Sequence, residues 1–163
     1  MNAYQRFKQI NHLIFDVDGV FTNTDILITD SDLCRTMSVR DGYAIRRALN
    51  NGVKFSIISQ GTSDSVTRRL KDLGIEEVYL HVKGKMKVFR AICENNDLQP
   101  KEVLYMGDDL SDIPVLNTVG LATCPNDACW EVVNASHYVS PFGGGQGCIR
   151  DVVERIMRIK GTW

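Results

Sequence analysis

Short apolar runs that alternate with amphipathic segments set what this chain can fold into. The first run is HLIF at 12–15, with no polar residue between Leu13 and Phe15. A strand without polar alternation is buried on both faces, which occurs when helices cover both sides of a parallel sheet. This run passes directly into Asp16-Val17-Asp18-Gly19. Two carboxylates, two residues apart, at the end of a buried strand are costly to desolvate. An acid pair there can cap a helix or form an Asx-turn, so the remaining elements must decide what it does.

Those elements keep a regular alternation. KFSIIS, EEVYLHV, EVLYMG, GLATC and HYVS read as further strands. DGYAIRRALNNG and SDSVTRRLKDLG read as helices that stop at Gly52 and Gly74, as a glycine C-cap would have it. GKMKVFRAICENND, LSDIPVLNTV and CIRDVVERIMRI complete the helical set. DILIT and LCRTMSV flank Asp30-Ser31-Asp32 and suggest a β-hairpin after the first strand. No repeat, low-complexity stretch or linker interrupts residues 1–163, so the expectation is one α/β domain: a three-layer α/β/α sandwich with a Rossmann-like parallel sheet.

Bulk properties narrow the function classes. With 44% hydrophobic and 24% charged residues the chain can build a sizeable core. A formal net charge of −1 argues against nucleic acid or an anionic membrane as partner. No apolar run approaches the roughly 18 residues of a membrane span, and MNAYQRFKQIN lacks the apolar stretch of a signal peptide. The five cysteines are odd in number and form no C-x-x-C, so they read as reduced thiols of a cytoplasmic protein.

In parallel α/β sheets, ligands gather at the carboxyl ends of the strands. Asp16 and Asp18 end the first strand there. Ser59-Gln60-Gly61 end the second, Lys83-Gly84-Lys85 precede a helix, and Gly107-Asp108-Asp109-Leu110-Ser111-Asp112 end a later strand. Each piece has an ordinary reading as a turn, a cap or a solvated helix residue. Together they suit phosphate-ester chemistry with a divalent metal. Asp16 and Asp108 offer hard oxygen ligands for Mg2+. Asp16 can attack phosphorus, and Asp18 can protonate the leaving oxygen and then activate water. Ser59 and Lys85 can meet phosphoryl oxygens. Asp112 can hold Lys85 or a metal-bound water.

These motifs resemble those of the haloacid dehalogenase superfamily of phosphotransferases. DVDGV at 16–20 matches its D-x-D-G motif, IIS ending at Ser59 the second, Lys85 the third and GDDLSD at 107–112 the fourth. The resemblance implies Asp16 as nucleophile and Asp18 as acid/base. It implies Mg2+ on Asp16, Asp108 and the backbone carbonyl of Asp18, with Asp109 and Asp112 behind them, and phosphate on Ser59, Gln60 and Lys85. Only about 40 residues separate Val20 from Ser59, too few for the cap domain of larger members.

A capless chain with a hairpin resembles the 3-deoxy-D-manno-octulosonate 8-phosphate (KDO 8-phosphate) phosphatases. VRDGYAI at 39–45, RLKDLGI at 69–75 and GGGQGCIRDVVERI at 143–156 carry that likeness. It implies a phosphorylated sugar acid as substrate and a homotetramer whose neighbouring subunits close each active site. It also implies substrate contacts from Arg40, Asp41, Gly42, Arg69, Gly144 and Gly145. Arg68, Lys83 and Arg150 are further basic candidates for a sugar carboxylate. Gly61 stands where that family carries Arg or Glu, and Thr22-Asn23-Thr24 where it carries T-D-G. The departures bear on the substrate, so a sialic acid or deaminated sialic acid (KDN) 9-phosphate is an alternative. A non-catalytic phosphate-binding or regulatory subunit is another, although a receiver-type regulator has no need of Asp18.

Overall fold

The computed structural model describes residues 2–30, 33–61 and 63–163, so Ser31 and Asp32 of the expected hairpin turn, and Thr62, lie outside the described residues. Six parallel strands form the main sheet. They are β1 (His12–Phe15), β4 (Lys54–Ile58), β5 (Glu77–Tyr79), β6 (Val103–Met106), β7 (Leu121–Cys124) and β8 (Tyr138–Val139). Across the sheet their order is β5-β4-β1-β6-β7-β8. The chain leaves β1 first toward β4 and β5, then returns to build β6, β7 and β8 on the other side. That reversal puts a crevice at the carboxyl ends of β1 and β6. Phe15 pairs with both Ile57 and Met106, so the three central strands end level.

Burial explains the apolar runs. Leu13, Phe15, Phe55, Ile57, Leu104 and Met106 face one helical layer, and Ile14, Ile58, Val103 and Tyr105 face the other. The first layer holds α1 (Ala3–Gln9), α2 (Val39–Asn50), α3 (Asp64–Asp72) and α7 (Cys148–Ile159). The second holds α4 (Lys85–Asn95), α5 (Ile113–Leu116) and α6 (Trp130–Ala135). Both faces of the sheet are therefore dry, and alternation disappears from the central strands. No helix among the described residues is long and apolar enough to cross a membrane.

Three local features differ from expectation. LSDIPVLNTV is not one helix: a 3-10 turn over Leu110–Asp112 leads into the single turn of α5. The Asp112 carboxylate accepts the backbone N–H groups of Asp108 and Asp109 at 3.1 and 3.2 Å, which tightens the chain there. Helices α1 and α6 are additions to the expected set. Each buries a single residue, Phe7 and Val132, too little for a visible helical period. The hairpin forms as antiparallel β2 (Leu27–Ile28) and β3 (Leu33–Cys34), with Leu27 opposite Cys34 and Ile28 opposite Leu33 among the described residues.

Candidate active site

The site begins where β1 stops. The Asp16 backbone N–H donates to the Met106 carbonyl at 3.0 Å, continuing the sheet by one residue. Then the chain turns, and Gly19 adopts φ +81°. A Cβ at Gly19 would come within 2.0 Å of Asp108 Oδ2. Only glycine lets this turn run beneath the Asp108 carboxylate.

Lys85, the first residue of α4, lies between two carboxylates. Its Nζ donates to Asp16 Oδ2 at 2.5 Å and to Asp112 Oδ1 at 2.6 Å, and the residue is 3% exposed. Burial alone would lower the lysine pKa, but Asp16 and Asp112 more than reverse that, so it is raised and the ammonium persists. Asp112 is fully buried and satisfied on both oxygens: Oδ1 also accepts the Tyr105 hydroxyl at 2.5 Å. The Tyr105 hydroxyl, buried beside that carboxylate, is held well above the ordinary phenol range.

Asp16, Asp108 and Asp112 offer oxygens that all lie within 4.8 Å of one another. Three carboxylates thus face one ammonium, and the missing positive charge is that of one divalent cation. Burial pushes Asp16 up to about 6 despite Lys85. Burial, then Asp16 and Asp112, push Asp108 up to about 8. An all-oxygen donor set with this deficit fits a hard cation such as Mg2+. Asp112 accepts four hydrogen bonds and Asp16 two, so Asp16 and Asp108 keep lone pairs for a cation.

The remaining candidates divide. Ser59, at the end of β4 and 2% exposed, accepts the Gly61 N–H on its Oγ at 3.2 Å. Gln60 beside it is exposed. Asp18 turns its carboxylate toward Arg35, not into the Asp16–Asp108–Asp112 cluster. Asp109 is exposed and accepts the Leu110 N–H at 2.8 Å.

The expected substrate contacts on α2 and in the Gly-rich loop sit within the framework. Asp41 is 1% exposed, and its Oδ1 accepts the Arg150 N–H at the start of α7 at 2.7 Å. Burial lifts its pKa to about 6. A Cβ on Gly42 would lie 3.1 Å from Arg69 Nη2, so these two residues meet each other where α2 packs on α3. Gly144 approaches the Gly19 carbonyl so closely that a Cβ would lie 2.2 Å away, and the Gly145 N–H donates to Val20 O at 2.9 Å. They brace the turn that carries Asp16 and Asp18. Arg40 lines a groove of about 620 Å³ along α7, together with Phe142, Arg150 and Glu154. None of Asp16, Asp18, Ser59, Lys85 or Asp108 lines that groove.

Two residues escaped the sequence reading. Tyr105 carried a signal: a hydroxyl inside a wholly buried strand needs a partner. Arg35, in an exposed hairpin, carried none.

The arrangement can be set beside known proteins. The haloacid dehalogenase-like hydrolase family matches residues 42–124. The 3-deoxy-D-manno-octulosonate 8-phosphate phosphatase of Escherichia coli K12 is 34% identical over 155 residues, which cover 94% of this chain and 82% of that protein. The chain belongs to the haloacid dehalogenase-like hydrolases. It is a phosphatase, a phosphoric monoester hydrolase, and the regulatory alternative gives way to an enzyme. The crystal structure of the Yersinia pestis 3-deoxy-D-manno-octulosonate 8-phosphate phosphatase matches this hydrolase with a TM-score of 0.95 at 32% identity, over 98% of this chain and 86% of that one. The Moraxella catarrhalis phosphatase of the same name, in complex with magnesium ion, phosphate ion and a KDO molecule, matches with a TM-score of 0.92 at 26% identity, over 96% and 90%. The fold is the α/β sandwich of these structures, with no cap domain among the described residues.

The carboxylate pKa values predict how metal binding responds to pH. Without metal, Asp108 holds a proton up to about 8 and Asp16 up to about 6. Below those values a cation must displace protons to bind. Calorimetric titration of metal-free protein with Mg2+ should show affinity rising through that interval and levelling above it. An affinity independent of pH would contradict the assigned cluster.

Proposed function

We propose that this hydrolase cleaves the phosphate monoester of a keto-sugar acid, KDO 8-phosphate first, to give the sugar acid and inorganic phosphate. One geometric observation carries the chemistry: buried Lys85 spans Asp16 and Asp112, with Asp108 beside them. Similarity across 94% of the chain to phosphatases of that name supports the substrate.

Asp16 attacks phosphorus as a carboxylate, forming an aspartyl phosphate while the ester P–O bond breaks. Asp18 gives a proton to the departing oxygen, then takes one from the water that hydrolyses the acyl phosphate. Lys85 orients Asp16 and meets negative charge on the phosphoryl group, and the Ser59 hydroxyl donates to a phosphoryl oxygen. Asp16, Asp108 and the backbone carbonyl of Asp18 would hold Mg2+, which would supply the positive charge that lets a phosphate dianion approach these carboxylates. Asp112 positions Lys85. The enzyme acts in the cytoplasm.

The substrate is small and the cleft lacks a cap, so closure comes from other copies of the chain in a homotetramer. Exposed apolar residues on the hairpin support this: Leu27 is 67% exposed and Ile28 77%. Apolar side chains grouped in this way mark an interaction surface. A nine-carbon sialic or deaminated sialic acid 9-phosphate is the second reading, because Gly61 places no side chain where the KDO 8-phosphate phosphatases carry Arg or Glu.

Comparing kcat/KM for KDO 8-phosphate, the nine-carbon 9-phosphates and hexose phosphates decides between the two. The eight-carbon ester should lead by at least about tenfold, a difference of about 1.4 kcal/mol in transition-state binding. A hexose phosphate in first place would refute the sugar-acid reading. Sedimentation should give a tetramer that Leu27→Asp with Ile28→Asp breaks up, with loss of turnover. A wild-type monomer at full activity would rule out closure by neighbouring subunits.

A further inference from the structure

Arg35 lies just after the exposed strand β3, yet its side chain is only 7% exposed. It reaches the mouth of the cleft and grips Asp18 side-on. Nε donates to Asp18 Oδ1 at 2.5 Å and Nη2 to Oδ2 at 3.3 Å. Nη1 donates to the Leu33 carbonyl at 3.1 Å, which ties the guanidinium to its own hairpin. This is the planar fork by which arginine recognises a carboxylate. Here the carboxylate it holds belongs to the residue assigned to proton transfer.

The pair occupies space that Gly61 leaves open. A Cβ at position 61 would come within 2.8 Å of Asp18 Oδ2 and 3.7 Å of Arg35 Nη2. Ser59, Gly61 and Ser63 line the same small cleft as Asp18 and Arg35. The Asp18 side chain is 36% exposed, so a group arriving from solvent reaches the pair from the aspartate side.

We infer that Arg35 determines specificity by exchanging carboxylates: the acid group of the substrate takes the guanidinium fork from Asp18, and Asp18 turns to the leaving oxygen. This rests on the keto-sugar-acid reading above. The exchange replaces one carboxylate by another on the same donors, so it costs little electrostatic energy. The phosphoryl oxygens of any ester are taken by Lys85 and Ser59, so an ester without a carboxylate brings no second anion to the fork, and Asp18 stays on Arg35. The pair thus rejects neutral sugar phosphates by holding Asp18 away from them, and it admits acidic ones.

The test compares wild type, Arg35→Ala and Arg35→Lys on KDO 8-phosphate and on glucose 6-phosphate. Loss of a charge-assisted fork should lower kcat/KM for the acid roughly 10- to 100-fold in Arg35→Ala, mostly through KM. On glucose 6-phosphate the same variant should equal or exceed wild type, which also reports that it is folded. Lysine keeps the charge without the fork, so Arg35→Lys should fall between. Equal losses on both esters would make Arg35 merely structural and overturn the inference. So would an Arg35→Ala enzyme that keeps the wild-type preference for the acid. A wild type with no preference for the acid over glucose 6-phosphate would remove the substrate reading itself, and this inference with it.

Discussion

One buried ammonium organises this molecule. Lys85 sits 3% exposed between Asp16 and Asp112. Burying a charge costs several kcal/mol, recovered only where partners and geometry are good. Two carboxylates at 2.5 and 2.6 Å meet that condition. Each neighbour is then constrained in turn. Asp112 must stay buried to hold the lysine, so it takes the Tyr105 hydroxyl and the N–H groups of Asp108 and Asp109. Those bonds shape the loop that brings Asp108 over the Gly19 turn. The carboxylates still outnumber the cations, a deficit that a divalent metal would fill and that an arriving phosphate ester would otherwise deepen.

The fold brings these groups to one edge. Lys85 starts α4, Asp16 ends β1, and Asp108 and Asp112 come just after β6. Level strand ends and the reversal of strand order next to β1 bring all of them together. The Gly-rich segment ahead of α7 does its part from behind, packing Gly144 against Gly19 and tying Gly145 to Val20. Asp41 anchors the start of α7 through Arg150, and so helps hold that segment in place.

Much of this was legible in the sequence for physical reasons. A strand buried on both faces must be apolar throughout, so β1, β4 and β6 stood out, and the residues at the carboxyl ends of such strands share one sheet edge. That made Asp16, Ser59, Lys85, Asp108 and Asp112 readable as a group. Short elements were not readable: α1 and α6 bury one residue each, and the 3-10 turn at Leu110–Asp112 depends on a side chain closing back on its own loop. Tertiary uses of ordinary residues were hidden as well. Nothing near Asp41 or Gly42 says that one caps a distant helix while the other makes room for Arg69. Nothing near Arg35 says that it crosses to Asp18.

The central claim is that Asp16 carries the phosphoryl group between substrate and water. Rapid acid quench of the wild-type enzyme turning over KDO 8-phosphate, with peptide mass spectrometry of the quenched protein, tests it directly. A single phosphoryl group should appear on the peptide bearing Asp16 within one turnover and vanish as substrate runs out. Turnover with no such adduct, or with the phosphoryl group on another residue, would contradict the account.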